Sequence, residues 1–307
     1  MSHGPTPRTV RHEPFDQAQD RPFDDAQDRS VEGPVPVHAS TLRQAQDSAR
    51  ADTGIQGTAP TTGWVKPSRS LATAAGRAIG DYRMIRNGDR ILLGLSGGKD
   101  SLSLLHTLHH LQQKAPVKFE LLAATVDPQS DQFDPSPLTP YLAGLGVPYF
   151  LESQPILEEA QRTLTKDSDS YCAYCSRMRR GILYRVAREQ HCNVVALAQH
   201  LDDLAETLMM SMLFGGKLRT MSPHYLNDAG DLRIIRPFAY ARERQTRAFA
   251  ADAGLPVIFE NCPACFAKPQ QRYAMKQMLA EQEKAHPRIY NSLLTAMRPL
   301  MGEPPAP

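Results

Sequence analysis

No apolar stretch in this 307-residue chain approaches the roughly 20 residues that cross a bilayer. The N-terminus also lacks the apolar core of a secretory signal. Both shortages argue against a helical membrane protein or a secreted one, so the sequence reads as soluble and cytoplasmic. An excess of one charge is missing too: the formal net charge is +2, which does not by itself mark a nucleic-acid binder. The Walker A spacing, four residues between a glycine and a Gly-Lys pair, does not occur, and that excludes the P-loop reading of its nucleotide chemistry. Cysteine is scarce, at five residues. The number is odd and four of the five fall in two Cys-x-x-Cys pairs. In a cytosolic chain such pairs read as metal or redox sites before disulfides. What remains is 41% hydrophobic, enough for a real core in one or two domains.

The apolar residues are unevenly distributed. Residues 1–66 repeat a short polar theme, Gln17-Ala-Gln-Asp20, Asp25-Ala-Gln-Asp28 and Gln44-Ala-Gln-Asp47, among scattered prolines. They show neither a helical nor a strand period, so they read as a disordered low-complexity extension. Residues 67–300 read as one folded domain, beginning near Ser68, and 301–307 as a short tail. The extension carries seven Lys and Arg against nine Asp and Glu, and the remainder 28 against 24. The mild positive balance of the folded part hints at a polyanionic partner.

Within the folded part apolar strands alternate with amphipathic helices. Helices are predicted over 69–86, 101–113, 137–145, 176–190, 202–214, 242–253 and 270–284. Strands are predicted over 90–95, 119–127, 148–152, 193–199, 232–237 and 255–259. Continuous apolar strands between helices give the fold class: α/β, a parallel sheet with helices on both faces. In such sheets ligands sit at the carboxyl ends of the strands.

One such end carries Leu92-Leu-Gly-Leu-Ser-Gly-Gly-Lys-Asp-Ser101. A glycine-rich turn there lets several backbone N–H groups converge above the N-terminus of the next helix, a cradle for an anion. Ser96 and Ser101 add hydroxyls, Gly97 and Gly98 permit the turn, and Lys99 adds a positive charge. Ser-Gly-Gly-Lys-Asp-Ser resembles the PP-loop of the N-type ATP pyrophosphatases, which split ATP between its α- and β-phosphates. The resemblance implies the adenine-nucleotide α-hydrolase-like fold.

The cysteine pairs are Cys172-Ala-Tyr-Cys175 and Cys262-Pro-Ala-Cys265. By spacing they suit a Cys₄ zinc site or an iron–sulfur cluster equally. Cys192, alone before an apolar strand, reads as a packed core cysteine. Further motifs narrow the choice. Cys172 to Arg185, Ala196 to Thr207 with Met212 to Lys217, and Arg236-Pro-Phe-Ala-Tyr-Ala-Arg-Glu243 resemble the tRNA 2-thiocytidine synthases (tRNA-cytidine 32 2-sulfurtransferases) over about residues 70–300. The resemblance implies Mg2+ and ATP, a 4Fe-4S cluster held by three cysteines, and tRNA as substrate. Sulfur would come from a donor such as a cysteine desulfurase, and the protein would be a homodimer. It favours Cys172, Cys175 and Cys262 as cluster ligands, with Cys265 as the alternate third. Two departures stand out: Ala198-Gln199 replace the family's Gly-His, which leaves the adjacent His200 for the nucleotide, and Phe266 replaces a glycine.

In that reading the C2 oxygen of cytosine attacks the α-phosphate of ATP, pyrophosphate leaves, sulfide attacks C2, and AMP departs. Ser96, Gly97, Gly98, Lys99, Asp100 and Ser101 are expected to bind the phosphates, with Lys99 offsetting charge. Asp100 orders the loop or reaches Mg2+. Asp127, at a strand end, is placed to reach the nucleotide. Of Asp202 and Asp203, one is expected to cap a helix and the other to lie near Mg2+ or ATP, with Asp203 in the catalytic set beside Lys99 and Asp100. Arg177, Arg179 and Arg180 are candidate tRNA phosphate contacts. The competing readings are a PP-loop ligase or amidotransferase acting on another substrate, and a zinc-stabilised non-catalytic nucleotide- or RNA-binding protein.

Overall fold

Six strands form a single sheet in the order β3-β2-β1-β4-β6-β5. They are β1 (Asp89–Gly94), β2 (Phe119–Asp127), β3 (Tyr149–Ser153), β4 (Val194–Ala196), β5 (His224–Leu226) and β6 (Arg233–Ile235). A computed structural model describes residues 63–130, 133–164, 171–258 and 271–303. The first five strands in this order pair in parallel, and only β5 is antiparallel, hydrogen-bonded to β6. β1 is central, with β2 on one side and β4 on the other. The chain therefore reverses its winding direction at the carboxyl end of β1, the switch point where such sheets open a crevice.

The helices are α1 (Arg69–Asp81), α2 (Lys99–Lys114), α3 (Leu138–Leu145), α4 (Ile156–Thr163), α5 (Tyr171–Glu189), α6 (Leu201–Leu213), α7 (Glu243–Asp252), α8 (Gln271–Ala285) and α9 (Ile289–Met297). Strand alternation sorts the apolar side chains onto two faces. Ile91, Leu93, Leu121, Val194 and Ile235 enter a large core with α1, α2, α3, α6 and α7. Leu92, Leu122, Val195 and Ile234 enter a second core with Ile156 of α4 and Ile182 and Val186 of α5. Both faces are thus covered, as the continuous apolar strands require. Leu92 and Leu93 are completely buried, and burying a leucine in this way contributes about 1.5–3 kcal/mol.

The structure departs from the sequence expectations in several places. The helix predicted to Arg86 stops at Asp81, where Tyr82 caps it and Arg83 turns into the left-handed region at φ 49°. Packing begins before Ser68: the Trp64 indole donates to Leu145 O at 3.1 Å, and the Val65 N–H donates to His106 Nδ1 at 3.1 Å. The first cysteine pair lies inside α5, in its first turn, rather than ahead of it. The segment 255–258 forms no strand: the Val257 N–H turns back to Leu255 O, and the Ile258 N–H bonds Gly97 O. The sequence reading missed α4, β5 and α9, which are eight, three and nine residues long. Such short elements carry little periodic signal. No helix among the described residues is long and apolar enough to cross a membrane. The extension 1–62, the pair Cys262 and Cys265, Phe266 and the last four residues lie outside the described residues.

Candidate functional site

The Ser96–Ser101 loop leaves β1 and enters α2 at the switch point. Gly97 has φ +79°, and a Cβ there would stand 2.9 Å from Ile258 Cδ1. Both features demand glycine. The Ser96 hydroxyl accepts the Gly98 N–H at 3.3 Å, and the Ser101 hydroxyl donates to Gly98 O at 3.0 Å. Gly98 caps α2 without a side chain, so the first N–H groups of a 16-residue helix point outward, where the helix dipole favours an anion. Gly97→Ala is expected to cost about 1–2 kcal/mol from handedness alone, more with the Ile258 contact. A fall in the denaturant midpoint checks this, and an unchanged midpoint would contradict the loop geometry.

Lys99, the first residue of α2, meets two carboxylates. Its Nζ lies 2.8 Å from Asp100 Oδ2 and 3.1 Å from Glu243 Oε1. Burial works against its charge, but Asp100 and Glu243 outweigh that and hold its pKa above the ordinary lysine value. The other oxygen of Asp100 accepts the Thr246 hydroxyl and lies 3.8 Å from His200 Nε2. Asp100 therefore orders the loop against α7, a cross-link that sequence spacing does not reveal.

The two aspartates of α6 have different occupations. His200 is the N-cap of α6: its Nδ1 accepts the Asp203 N–H at 3.3 Å, and Asp203 Oδ2 accepts the His200 N–H at 2.9 Å. His200 is nearly buried and meets the loop only through Asp100. Asp202 is buried and accepts from Arg242 Nε and Nη2 and from the Glu243 N–H, the last at 2.8 Å. The capping aspartate is thus Asp203, while Asp202 is taken up by the α7 junction. Asp203 stays partly exposed, with Arg272 Nη1 3.9 Å from its Oδ1. Asp127 spends both oxygens locally, accepting the Gln129 N–H at 2.8 Å and the Ser153 hydroxyl at 3.1 Å, as a turn aspartate does. Gln199, at the position of the family's histidine, accepts from Arg236 Nε at 3.1 Å, and Arg236 lies over the Tyr225 ring.

Sequence reasoning missed the ring of charges behind the loop. Glu243 accepts Lys99, Lys276 at 3.0 Å and Arg247 at 3.2 Å. Lys99 and then Lys276 overcome the cost of burying it and hold its carboxyl well below the usual range. Glu206, buried on α6, pairs with Arg272 at 3.2 Å. Burial, then Asp203, pushes its carboxyl up to about 7 despite Arg272. The native state then keeps a proton that the unfolded chain has lost, so this contribution to stability is present at low pH and disappears as pH rises through about 7. Glu206→Gln should flatten the decline in melting temperature between about pH 5 and pH 8; equal slopes in parent and variant would refute the assignment.

Cys175 is partly exposed in the first turn of α5. The far end of that helix lies at the amino ends of the strands, where Arg90 Nε donates to Gln190 O at 2.8 Å. The first cysteine pair therefore lies at the carboxyl ends, on the same edge of the sheet as the loop. Cys192 is buried, and its thiol is pushed up to about 11 by that burial, which agrees with a core role. Ile258 against Gly97, and Arg272 and Lys276 against α6 and Glu243, bring both chain segments flanking the second pair to the loop.

The donor sets suit the groups that the resemblance implies. Four thiols in two pairs are soft ligands appropriate to an iron–sulfur cluster. Uncapped helix N–H groups, two hydroxyls and a lysine suit a polyphosphate. For Mg2+, a hard cation that takes oxygen ligands, the nearest carboxylates that remain partly exposed are Asp203, which accepts the His200 N–H, and Asp100, which accepts Lys99 and Thr246; Asp202 is buried against Arg242.

A PP-loop domain family (ATP_bind_3) matches residues 70–260. A tRNA-cytidine(32) 2-sulfurtransferase from Geobacter sulfurreducens is 41% identical over 232 residues, covering 75% of this chain and 89% of the relative. Its counterpart from Shewanella pealeana is 41% identical over 242 residues, covering 77% and 76%. Among solved structures, the U34-tRNA thiolase NcsA from Methanococcus maripaludis, with its 4Fe-4S cluster, aligns with a TM-score of 0.61 at 22% identity, covering 75% of this chain and 78% of that one. At that identity the likeness speaks for the fold.

Proposed function

The chain belongs to the tRNA-cytidine(32) 2-sulfurtransferase family of PP-loop enzymes, and on that premise we propose that it converts a cytidine of tRNA to 2-thiocytidine at the expense of ATP. The observation that carries the reading is the shared edge: the Ser96–Ser101 loop and the first cysteine pair both stand at the carboxyl ends of the parallel strands. Activation and sulfur insertion can then act on one base held between them.

The loop N–H groups, Ser96, Ser101 and Lys99 bind the β- and γ-phosphates and take up the charge that grows as pyrophosphate leaves. Asp203 and Asp100 would hold Mg2+, which would offset the negative charge of the triphosphate. The C2 oxygen of cytosine forms the bond to the α-phosphorus as the α–β bridge breaks. Sulfide then bonds to C2, and the old C2 oxygen leaves with AMP. Cys172, Cys175 and Cys262 hold a 4Fe-4S cluster, with Cys265 as the alternate to Cys262. When bound, that cluster would supply sulfide for C2; a donor such as a cysteine desulfurase, together with a two-electron reductant, would provide that sulfur. Arg177, Arg179 and Arg180, exposed or partly exposed on α5 beyond Cys175, would meet tRNA phosphates.

Nucleoside mass spectrometry of tRNA from a strain lacking this protein is the direct test. Loss of 2-thiocytidine, restored by the intact gene, is the expected result. Unchanged 2-thiocytidine would reject the proposed product.

A further inference from the structure

We propose that Glu243 is the positioning residue of Lys99, setting the lysine's remaining N–H toward the triphosphate. The inference rests on the loop binding ATP phosphates, and it does not depend on the thiolation step.

A lysine ammonium has three donors. Asp100 Oδ2 at 2.8 Å and Glu243 Oε1 at 3.1 Å engage two of them, which leaves one direction for a phosphate oxygen. The two carboxylates are not equivalent. Asp100 is the next residue in the chain and moves with the loop. Glu243 opens α7, whose packing on the large core makes it an external reference for the lysine. Its own backbone N–H is fixed by Asp202 at 2.8 Å. One turn along, Thr246 donates to Asp100, so the same turn of α7 grips both charged residues of the loop.

Such a carboxylate could also repel the incoming phosphates. Here Lys276 at 3.0 Å and Arg247 at 3.2 Å offset it. The cluster of Lys99, Lys276 and Arg247 against Asp100 and Glu243 keeps a surplus positive charge. Glu243 can therefore orient Lys99 without making the pocket unfavourable to an anion.

A double-mutant cycle tests the role through binding of the Mg2+ complex of α,β-methylene ATP, a probe that cannot be cleaved. Glu243→Gln is expected to weaken binding about tenfold in the parent, as loss of a charge-assisted hydrogen bond does. In a Lys99→Met background the same change should cost less than about twofold, because the group that Glu243 positions is gone. A purely structural role, exercised through Lys276 and Arg247, would cost the same in both backgrounds and would overturn the proposal. If Lys99→Met alone leaves binding unchanged, the loop reading fails and the proposal fails with it, a pattern distinct from equal costs. Should Glu243→Gln not fold, Glu243→Asp carries the same cycle: it keeps the charge, shortens the reach, and should show a smaller, still Lys99-dependent loss.

Discussion

Lys99→Met is expected to lower ATP-dependent thiolation by about 10²–10³-fold, the range seen when one preorganised donor is removed from a site of developing charge. The prediction follows from the position of the side chain. Lys99 is largely buried and held at 2.8 and 3.1 Å by two carboxylates, so little of its orientation must be organised during the reaction. Its raised pKa keeps it charged throughout the neutral range, so the loss should not depend on pH near 7. Release of AMP and pyrophosphate is the measurement. A loss confined to the apparent affinity for tRNA, with nucleotide turnover intact, would contradict a role at the phosphates. Methionine preserves much of the stem volume, but it leaves Asp100 and Glu243 without a shared counter-charge. Part of the effect will therefore appear as lower stability, and a melting curve separates the two.

Cys175→Ser is expected to abolish thiolation, by at least about a hundredfold, since even partners one shell removed from a metal change affinity by 10–100-fold. The variant should also lose the visible absorption of anaerobically prepared protein while still binding ATP. Retained binding is expected because Cys175 lies in the first turn of α5, on the face of the sheet opposite α2. Cys192→Ser is the matched control. That thiol is buried in the second core and pushed up to about 11, so its replacement should lower stability slightly and leave thiolation and absorption unchanged. Equal losses in both variants would point to general destabilisation and against a cluster. A colourless parent protein carrying stoichiometric zinc would replace the cluster with a Cys₄ metal site.

Much of the architecture was legible in the chain. The apolar runs around Leu92 and Leu122 can be buried on both sides only in a covered parallel sheet, and Gly97-Gly98-Lys99 at the end of one of them identifies an anion cradle. The cysteine pairs declare soft-ligand chemistry through their spacing. The exact ends of helices were less legible, because a capping interaction decides them: α1 stops where Tyr82 and Arg83 turn, although amphipathic spacing continues. The first cysteine pair was expected ahead of its helix and lies within it.

The site's carboxylates show the limit most clearly. From the sequence, Asp127, Asp202 and Asp203 are three acids at strand ends with similar claims on the nucleotide. Asp127 is occupied by Gln129 and Ser153, and Asp202 by Arg242 and the Glu243 N–H, whereas Asp203 caps α6 and remains partly exposed. Glu243, Lys276 and Arg272 gave no local signal of a role at the loop, since their partners lie on other elements. The sequence by itself determined the sheet and singled out the candidate phosphate cradle and candidate thiol donors, because periodicity, backbone freedom and ligand softness are local properties of residues. Only the tertiary structure shows which partners each of these acids and Lys99 meet, because a charge's surroundings depend on the groups that folding brings within about 3 Å.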